Sequence, residues 1–348
     1  MEIGLGHLQR CLSLAAALKQ RNVSSYFMTN HLSNGLDMGA REGYTVEQLL
    51  DSVVSWSRDD FQETAQFASR CGAQVIVVDF HAVPLPFLEW LREAGFLLVV
   101  RDDLGLRSLP ADIVLNGNAD ACRLPYAPSQ GEALFLLGPE YAVLPKDFWR
   151  PIPRQIRETV EEILVVLGGA DPANCMLPLL ELLDRAPGEF GVTAVIGPFF
   201  QNRATIKAGV ERMRRPIKLV ESPGSMVDLM QGADLAISAA GQTLYELART
   251  GCPTLAIQVS DNQGGQLRAL TEVGCLCPVG DAREAGLLSK VQESLLPLLK
   301  DPLRRQAMAM AGQGLVDGQG AHRAVNAILD QWVSRTKKQR VMDVPGLA

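Results

Sequence analysis

The chain has 348 residues, 47% of them hydrophobic and 21% charged, with a formal net charge of -6 at neutral pH and a pI near 5.4. That length exceeds one typical domain and predicts two. The acidic balance disfavours nucleic acid as a partner, and the short basic run Arg335-Thr336-Lys337-Lys338-Gln339-Arg340 reads as part of a solvated polar tail over 334–348.

The seven cysteines are odd in number, and none forms a C-x-x-C pair. Cys275-Leu276-Cys277 lacks the second ligand pair that a zinc site needs. Buried free thiols in a reducing cytosol are the simpler account. The apolar runs Leu97–Val100 and Ile163–Leu167 are too short to span a bilayer and read as buried strands. A cytoplasmic protein without a signal peptide or membrane span is expected.

In chain order, the glycine turn Gly4-Leu5-Gly6 leads through His7, Leu8, Gln9 and Arg10 into an apolar helical stretch from Cys11 to Leu18. Strands are predicted over 25–29, 75–79, 97–101, 113–116 and 134–137, with helices over 61–70 and 85–94. Pro145, Pro151 and Pro153 mark a linker. The alternation then restarts. Strands are predicted over 163–167, 192–196, 217–220, 234–238 and 253–257, and helices over 176–184, 244–249, 264–273, 287–299 and 321–332. The expected fold class is α/β, with two doubly wound Rossmann-like domains facing a cleft, over residues 1–150 and 155–333. A doubly wound domain should begin with a strand feeding its first glycine loop, and Met1-Glu2-Ile3 is too short to supply one. The first strand reads as lost or truncated.

Four loops carry candidate chemistry. Gly6 and His7 stand at a helix start, where free N–H groups attract anions and an imidazole can accept a proton. A plain turn with a solvent-facing histidine explains that motif slightly better when it stands alone. Ser238-Ala239-Ala240-Gly241-Gln242-Thr243-Leu244-Tyr245-Glu246 joins a strand to a helix. Its turn can offer backbone N–H groups to a diphosphate, Thr243 a hydroxyl and Glu246 a carboxylate for a ribose diol. Asn262 and Gln263 follow the next strand, and Gly168-Gly169-Ala170-Asp171-Pro172 follows another. Each alone fits an ordinary capped turn; three on one sheet edge point to a ligand. Asp102-Asp103 can be read as a metal-binding pair, but no further ligand cluster accompanies it, and a structural or sugar-orienting role is preferred.

Taken together, these segments resemble a known family. They are Gly4 to Leu12, Val78-Asp79-Phe80-His81, Arg101-Asp102-Asp103-Leu104, Leu137-Gly138-Pro139-Glu140-Tyr141-Ala142-Val143-Leu144, Leu167 to Asn174, Ala236 to Glu246 and Asn262-Gln263, in order over nearly the whole chain. The chain resembles the UDP-2,4-diacetamido-2,4,6-trideoxy-β-L-altropyranose hydrolases of pseudaminic acid biosynthesis (PseG), close to the spore-coat SpsG proteins and similar in fold to the GT-B protein MurG. The resemblance implies hydrolysis of a UDP-sugar at its anomeric carbon, in a route associated with flagellin glycosylation. It implies His7 as the catalytic base, with Gly6, Arg10, Asp103, Tyr141, Gly168, Gly169, Gly241, Gln242, Thr243, Glu246, Asn262 and Gln263 binding substrate, and no metal or cofactor.

The chain departs from the family in having Ala240-Gly241-Gln242-Thr243 for Gly-Gly-Ser-Thr, and Phe80-His81 near a usual tyrosine. Asp79 and Asp103 stand as alternative bases. A GT-B glycosyltransferase and a non-catalytic nucleotide-sugar-binding protein are the competing readings.

Overall fold

A computed structural model describes residues 6–29, 39–48, 58–79, 83–126, 133–221, 223 and 225–342. Gly4, Leu5, Phe80, His81 and the short segment before Gly4 lie outside the described residues. The chain divides into two compact units, one formed by Leu5–Lys146 with Gln319–Ala348 and the other containing Asp147–Gly318.

The first unit opens with helix α1 (Gly6–Lys19) and the parallel pair β1 (Tyr26–Thr29) and β2 (Thr45–Gln48). After α2 (Arg58–Arg70) comes a parallel sheet in the order β3 (Val75–Asp79), β4 (Leu97–Arg101), β5 (Ile113–Asn116), β6 (Leu134–Leu137). Every residue of β4 and β5 is buried, as expected of parallel strands covered on both faces, which therefore read as unbroken apolar runs. Helix α3 (Leu85–Glu93) seats Phe87, Leu88 and Leu91 against Leu98, Val100 and Val114. Their spacing puts all three on one helical stripe.

The C-terminal helix corrects the expected domain limits. α11 (Gly320–Met342) packs on α1 and on the 3-10 turn Pro139–Tyr141, so it belongs to the first unit. The tail predicted from 334 onward is helical through Met342. Arg335, counted in the basic run, donates to Phe96 O at 2.9 Å and Gly95 O at 3.2 Å, satisfying carbonyls at the end of α3 and the start of β4.

The second unit carries a six-stranded parallel sheet in the order β12-β11-β10-β7-β8-β9, built from β7 (Glu162–Val166), β8 (Gly191–Ile196), β9 (Ile217–Glu221), β10 (Leu235–Ala239), β11 (Thr254–Gln258) and β12 (Cys277–Asp281). Counted from β7, this is the doubly wound order 3-2-1-4-5-6, whose switch point lies between β7 and β10. The helices are α4 (Met176–Arg185), α5 (Arg203–Val210), α6 (Met226–Gly232), α7 (Thr243–Thr250), α8 (Gly264–Val273), α9 (Leu287–Lys300) and α10 (Pro302–Leu315). One core joins Ile163, Val165, Leu179, Leu183, Ile237, Ile257 and Leu295.

The proline-rich segment does not behave as a free linker. From Asp147 onward its carbonyls are held by side chains of the second unit. Arg249 donates from Nε to Phe148 O at 3.0 Å, Gln313 to Ile152 O at 2.7 Å, and the fully buried Arg305 to Arg157 O and Glu158 O at 2.6 and 2.9 Å. Irregular backbone packed against a domain needs such donors.

Candidate active site

In the first unit the sheet's C-terminal edge and the start of α1 assemble a cluster of charges. Asp79 is the last residue of β3 and Arg101 the last of β4, with Asp103 two residues further on. His7 and Arg10 are three apart on α1 and share a face. His7 Nδ1 lies 2.6 Å from Asp79 Oδ1. Arg10 grips Asp79 with both ends of its fork, Nε to Oδ2 at 3.0 Å and Nη2 to Oδ1 at 2.6 Å. Its Nη1 reaches Asp103 Oδ2 at 3.1 Å. Arg101 Nη2 donates to Asp103 Oδ1 at 3.2 Å, and Asn118 Nδ2 approaches the same oxygen at 3.4 Å.

Burial alone would raise the Asp79 carboxyl, but Arg10, the His7 hydrogen bond and Arg101 outweigh it and hold the group well below the usual carboxylate range. Asp79 is therefore an anion, and a ring nitrogen 2.6 Å from it must carry a hydrogen. Arg10 Nη2, 2.9 Å from His7 Nδ1, has its own acceptor in Asp79 Oδ1, so it does not need the imidazole lone pair. His7 thus donates from Nδ1, and in the neutral imidazole the lone pair is on Nε2. Such a pairing fixes both tautomer and ring direction for a base. Cys11 Sγ contacts Asp79 Oδ2 at 3.8 Å; burial pushes its thiol far up, so it is no nucleophile.

A further buried layer supports the cluster. Asn116, fully buried at the end of β5, donates to Tyr126 Oη at 2.9 Å and accepts from Asn118 N at 2.9 Å. Tyr126 in turn donates to Asp102 O at 3.0 Å. The Asp102 carboxylate accepts from Leu104 N and Gly105 N, shaping the turn after β4. Asp102 and Asp103 therefore do separate work, one in a turn and one in the ion cluster. Tyr141 sits on the 3-10 turn after β6, where its carbonyl lies 2.6 Å from the place a Cβ on Gly117 would occupy. Glycine at 117 is what lets these two backbones meet.

In the second unit, the three glycine and amide loops follow neighbouring strands β7, β10 and β11 at the same sheet edge, on either side of the switch point. Gly168 has φ +79, and a Cβ on Gly197 would lie 2.5 and 2.4 Å from the carbonyl oxygens of Gly168 and Gly169. Only glycine permits that approach. Asp171 accepts from Cys175 N and Met176 N at 2.9 Å each, capping α4.

Gly241, Gln242, Thr243 and Glu246 form the turn into α7, and Gln263 comes beside Gly241, its Nε2 3.8 Å from where a Cβ there would stand. Gln263 accepts from Val259 N at 2.9 Å, while Asn262 is exposed on the 3-10 turn before α8. Burial pushes the half-buried Glu246 carboxyl up to about 7. Gln266 holds the turn from behind. It is buried, donates to Ala240 O at 2.7 Å and accepts from the buried Tyr245 hydroxyl at 3.0 Å.

The structure thus joins His7, Arg10 and Asp103 in one cluster, with Gly6 at its helix start, and brings Gly241 to Gln263. Sequence reasoning gave no role to Arg101, Asn116, Asn118, Tyr126 or Gln266, and placed Asp79 only as an alternative base. A polar residue ending each of the apolar strands β3, β4 and β5 was the available signal for Asp79, Arg101 and Asn116. Among the described residues, no group of three or more His, Cys, Asp and Glu can hold a metal ion, and no helix is long and apolar enough to cross a membrane.

No protein-family model matches the chain. The spore coat polysaccharide biosynthesis protein SpsG of Bacillus subtilis is 25% identical over 334 residues, 94% of each chain. An uncharacterised protein of Methanocaldococcus jannaschii, MJ1062, is 25% identical over 273 residues, 76% of this chain but only 54% of that protein. Among solved structures, Acinetobacter baumannii MurG superposes with a TM-score of 0.70 at 14% identity, covering 93% of this chain and 96% of its own. A co-structure of S. aureus MnaA with UDP gives 0.65 at 14% identity, covering 93% and 94%. The chain therefore has the GT-B fold, two α/β units each built on parallel strands, and is similar to SpsG along nearly its whole length.

Proposed function

We propose that this protein hydrolyses a UDP-linked 2,4-diacetamido-2,4,6-trideoxy sugar at its anomeric carbon, releasing UDP and the free sugar. The observation that carries the reading is the 2.6 Å contact between His7 Nδ1 and Asp79 Oδ1, which leaves Nε2 to act as base. The second unit takes the nucleotide. The turn before α7 supplies N–H groups to the diphosphate, Gly168 and Gly169 supply the neighbouring edge loop, and Glu246 accepts from the ribose diol. UDP bound to MnaA, a protein of the same fold, supports UDP as a ligand, and the similarity to SpsG supports a place in sugar biosynthesis.

The chemistry is one displacement. His7 Nε2 takes a proton from water as the water oxygen bonds to C1. The C1–O bond to the diphosphate breaks with its electron pair on UDP, and C1 inverts. The resulting imidazolium is stabilised by the Asp79 carboxylate. Helix N-termini stabilise charge growing on the diphosphate.

The test is turnover of the UDP-sugar in H₂¹⁸O with no acceptor present. The expected result is free sugar with ¹⁸O at C1 and unlabelled UDP. Label in UDP means attack at phosphorus and overturns the reading. Intact substrate that is consumed only when a sugar or lipid acceptor is added makes the protein a glycosyltransferase.

A further inference from the structure

Leu267, Ala269 and Leu270 on the buried face of α8 are apolar; Gln266 beside them is not. Its amide is spent on the turn that leads into α7. A backbone carbonyl only accepts, so the NH₂ lies against Ala240 O, at 2.7 Å, and the amide oxygen against the Tyr245 hydroxyl, at 3.0 Å. Tyr245 is fully buried, and its bond fixes which way the amide faces.

Ala240 is gripped at its other end as well. Its N–H donates to Ile257 O on β11 at 2.8 Å, and the next N–H, of Gly241, turns back to Ala239 O at 2.9 Å. Ala240 is fully buried, so a carbonyl there needs a donor. That donor comes from the following helix and is itself oriented by a side chain of α7. The bonds therefore run from the turn to α8 and back to α7, and such a closed network holds the turn in one orientation. α7 starts at Thr243, three residues after Ala240. The tilt of the turn sets where the first N–H groups of that helix point.

We propose that Gln266 is a positioning residue for the nucleotide: by holding Ala240 O it presets the turn that receives the diphosphate, so that binding does not have to order it. This rests on the reading of that turn as the seat of the diphosphate.

The signature is a loss of affinity confined to the phosphates. UDP is titrated by calorimetry and uridine by NMR into wild type, Gln266→Met, Tyr245→Phe and Val291→Ala. Val291 is a fully buried core residue of α9 and controls for lost stability alone. Gln266→Met should bind UDP about tenfold more weakly, roughly what one well-placed hydrogen bond is worth, and uridine within about twofold of wild type. Tyr245→Phe, which keeps the ring and drops the hydroxyl, should lose about fivefold for UDP alone. Val291→Ala should bind both ligands as wild type does. UDP binding by Gln266→Met within about twofold of wild type overturns the proposal. So does an equal loss for uridine, or an equal loss of UDP affinity in Val291→Ala. If Gln266→Met does not fold, Tyr245→Phe decides on the same terms. Wild type that binds UDP no more tightly than uridine overturns the diphosphate reading itself, whatever the variants do.

Discussion

The two candidate sites are built from opposite materials. The first unit's is made of charged side chains far apart in sequence, His7 and Arg10 meeting Asp79 and Asp103 across 69 to 93 residues. The second unit's is made of turns, small residues and neutral amides, with Gln263 and Gln266 supporting the Gly241 turn. Buried charge is suited to moving a proton; a preorganised amide cradle is suited to holding a diphosphate. If the contrast is real, variants of the first unit should lose turnover and keep nucleotide affinity, and variants of the second should do the reverse.

The largest effect is expected at His7. His7→Gln should lower kcat by about 10²–10⁴-fold, the usual contribution of a general base. Steady-state rates on the UDP-sugar would show it, and a loss below tenfold would shift attention to Asp103. Asp79→Asn keeps the shape but loses the anion. It should also cost kcat by about 10²–10⁴-fold through the wrong imidazole tautomer. Unlike His7→Gln, it should destabilise the fold by about 3–5 kcal/mol, because Arg10 and Arg101 lose a buried partner. Urea titration of the two variants separates the effects.

Gly197→Ala probes the other half. Its Cβ would meet the carbonyls of Gly168 and Gly169, so the edge loop must shift. UDP affinity should fall about tenfold, or about 1.4 kcal/mol, with a stability cost of about 1–3 kcal/mol. An unchanged UDP affinity would take this loop out of the nucleotide site.

The smallest effect is a pH dependence at Glu246. Burial raises its carboxyl from 4.5 to about 7, so the folded state prefers the neutral form. A raised carboxyl contributes stability that is fully present below its unfolded value and lost as pH rises through the folded one. Glu246→Gln should therefore melt a few degrees above wild type at pH 8 and level with it near pH 4. A variant that melts lower at pH 8 would mean that Glu246 is ionised and paired in the folded protein.

Much of the fold was legible. The buried strands of parallel sheets are short apolar runs, and β3, β4, β7, β10 and β11 stood out for that reason. β2 (Thr45–Gln48) and β12 (Cys277–Asp281) were missed because Glu47, Pro278 and Gly280 break the apolar pattern. α10 was missed because its buried face is made by Arg305, Met308, Ala309 and Gly312, which show no simple apolar period. The C-terminal helix was assigned to the wrong unit, since its partners on α1 lie some three hundred residues away and no local signal reports them. Within the sites, the glycine turns were visible because close backbone approach demands particular residues. The partners of His7 were not, because which carboxylate meets which guanidinium is decided by strand order.

The division of labour is tested most directly by calorimetric titration of UDP into wild type, His7→Gln and Gly197→Ala. The account predicts that His7→Gln binds UDP within about twofold of wild type while Gly197→Ala binds about tenfold more weakly. Tight binding by Gly197→Ala together with lost binding by His7→Gln would contradict it.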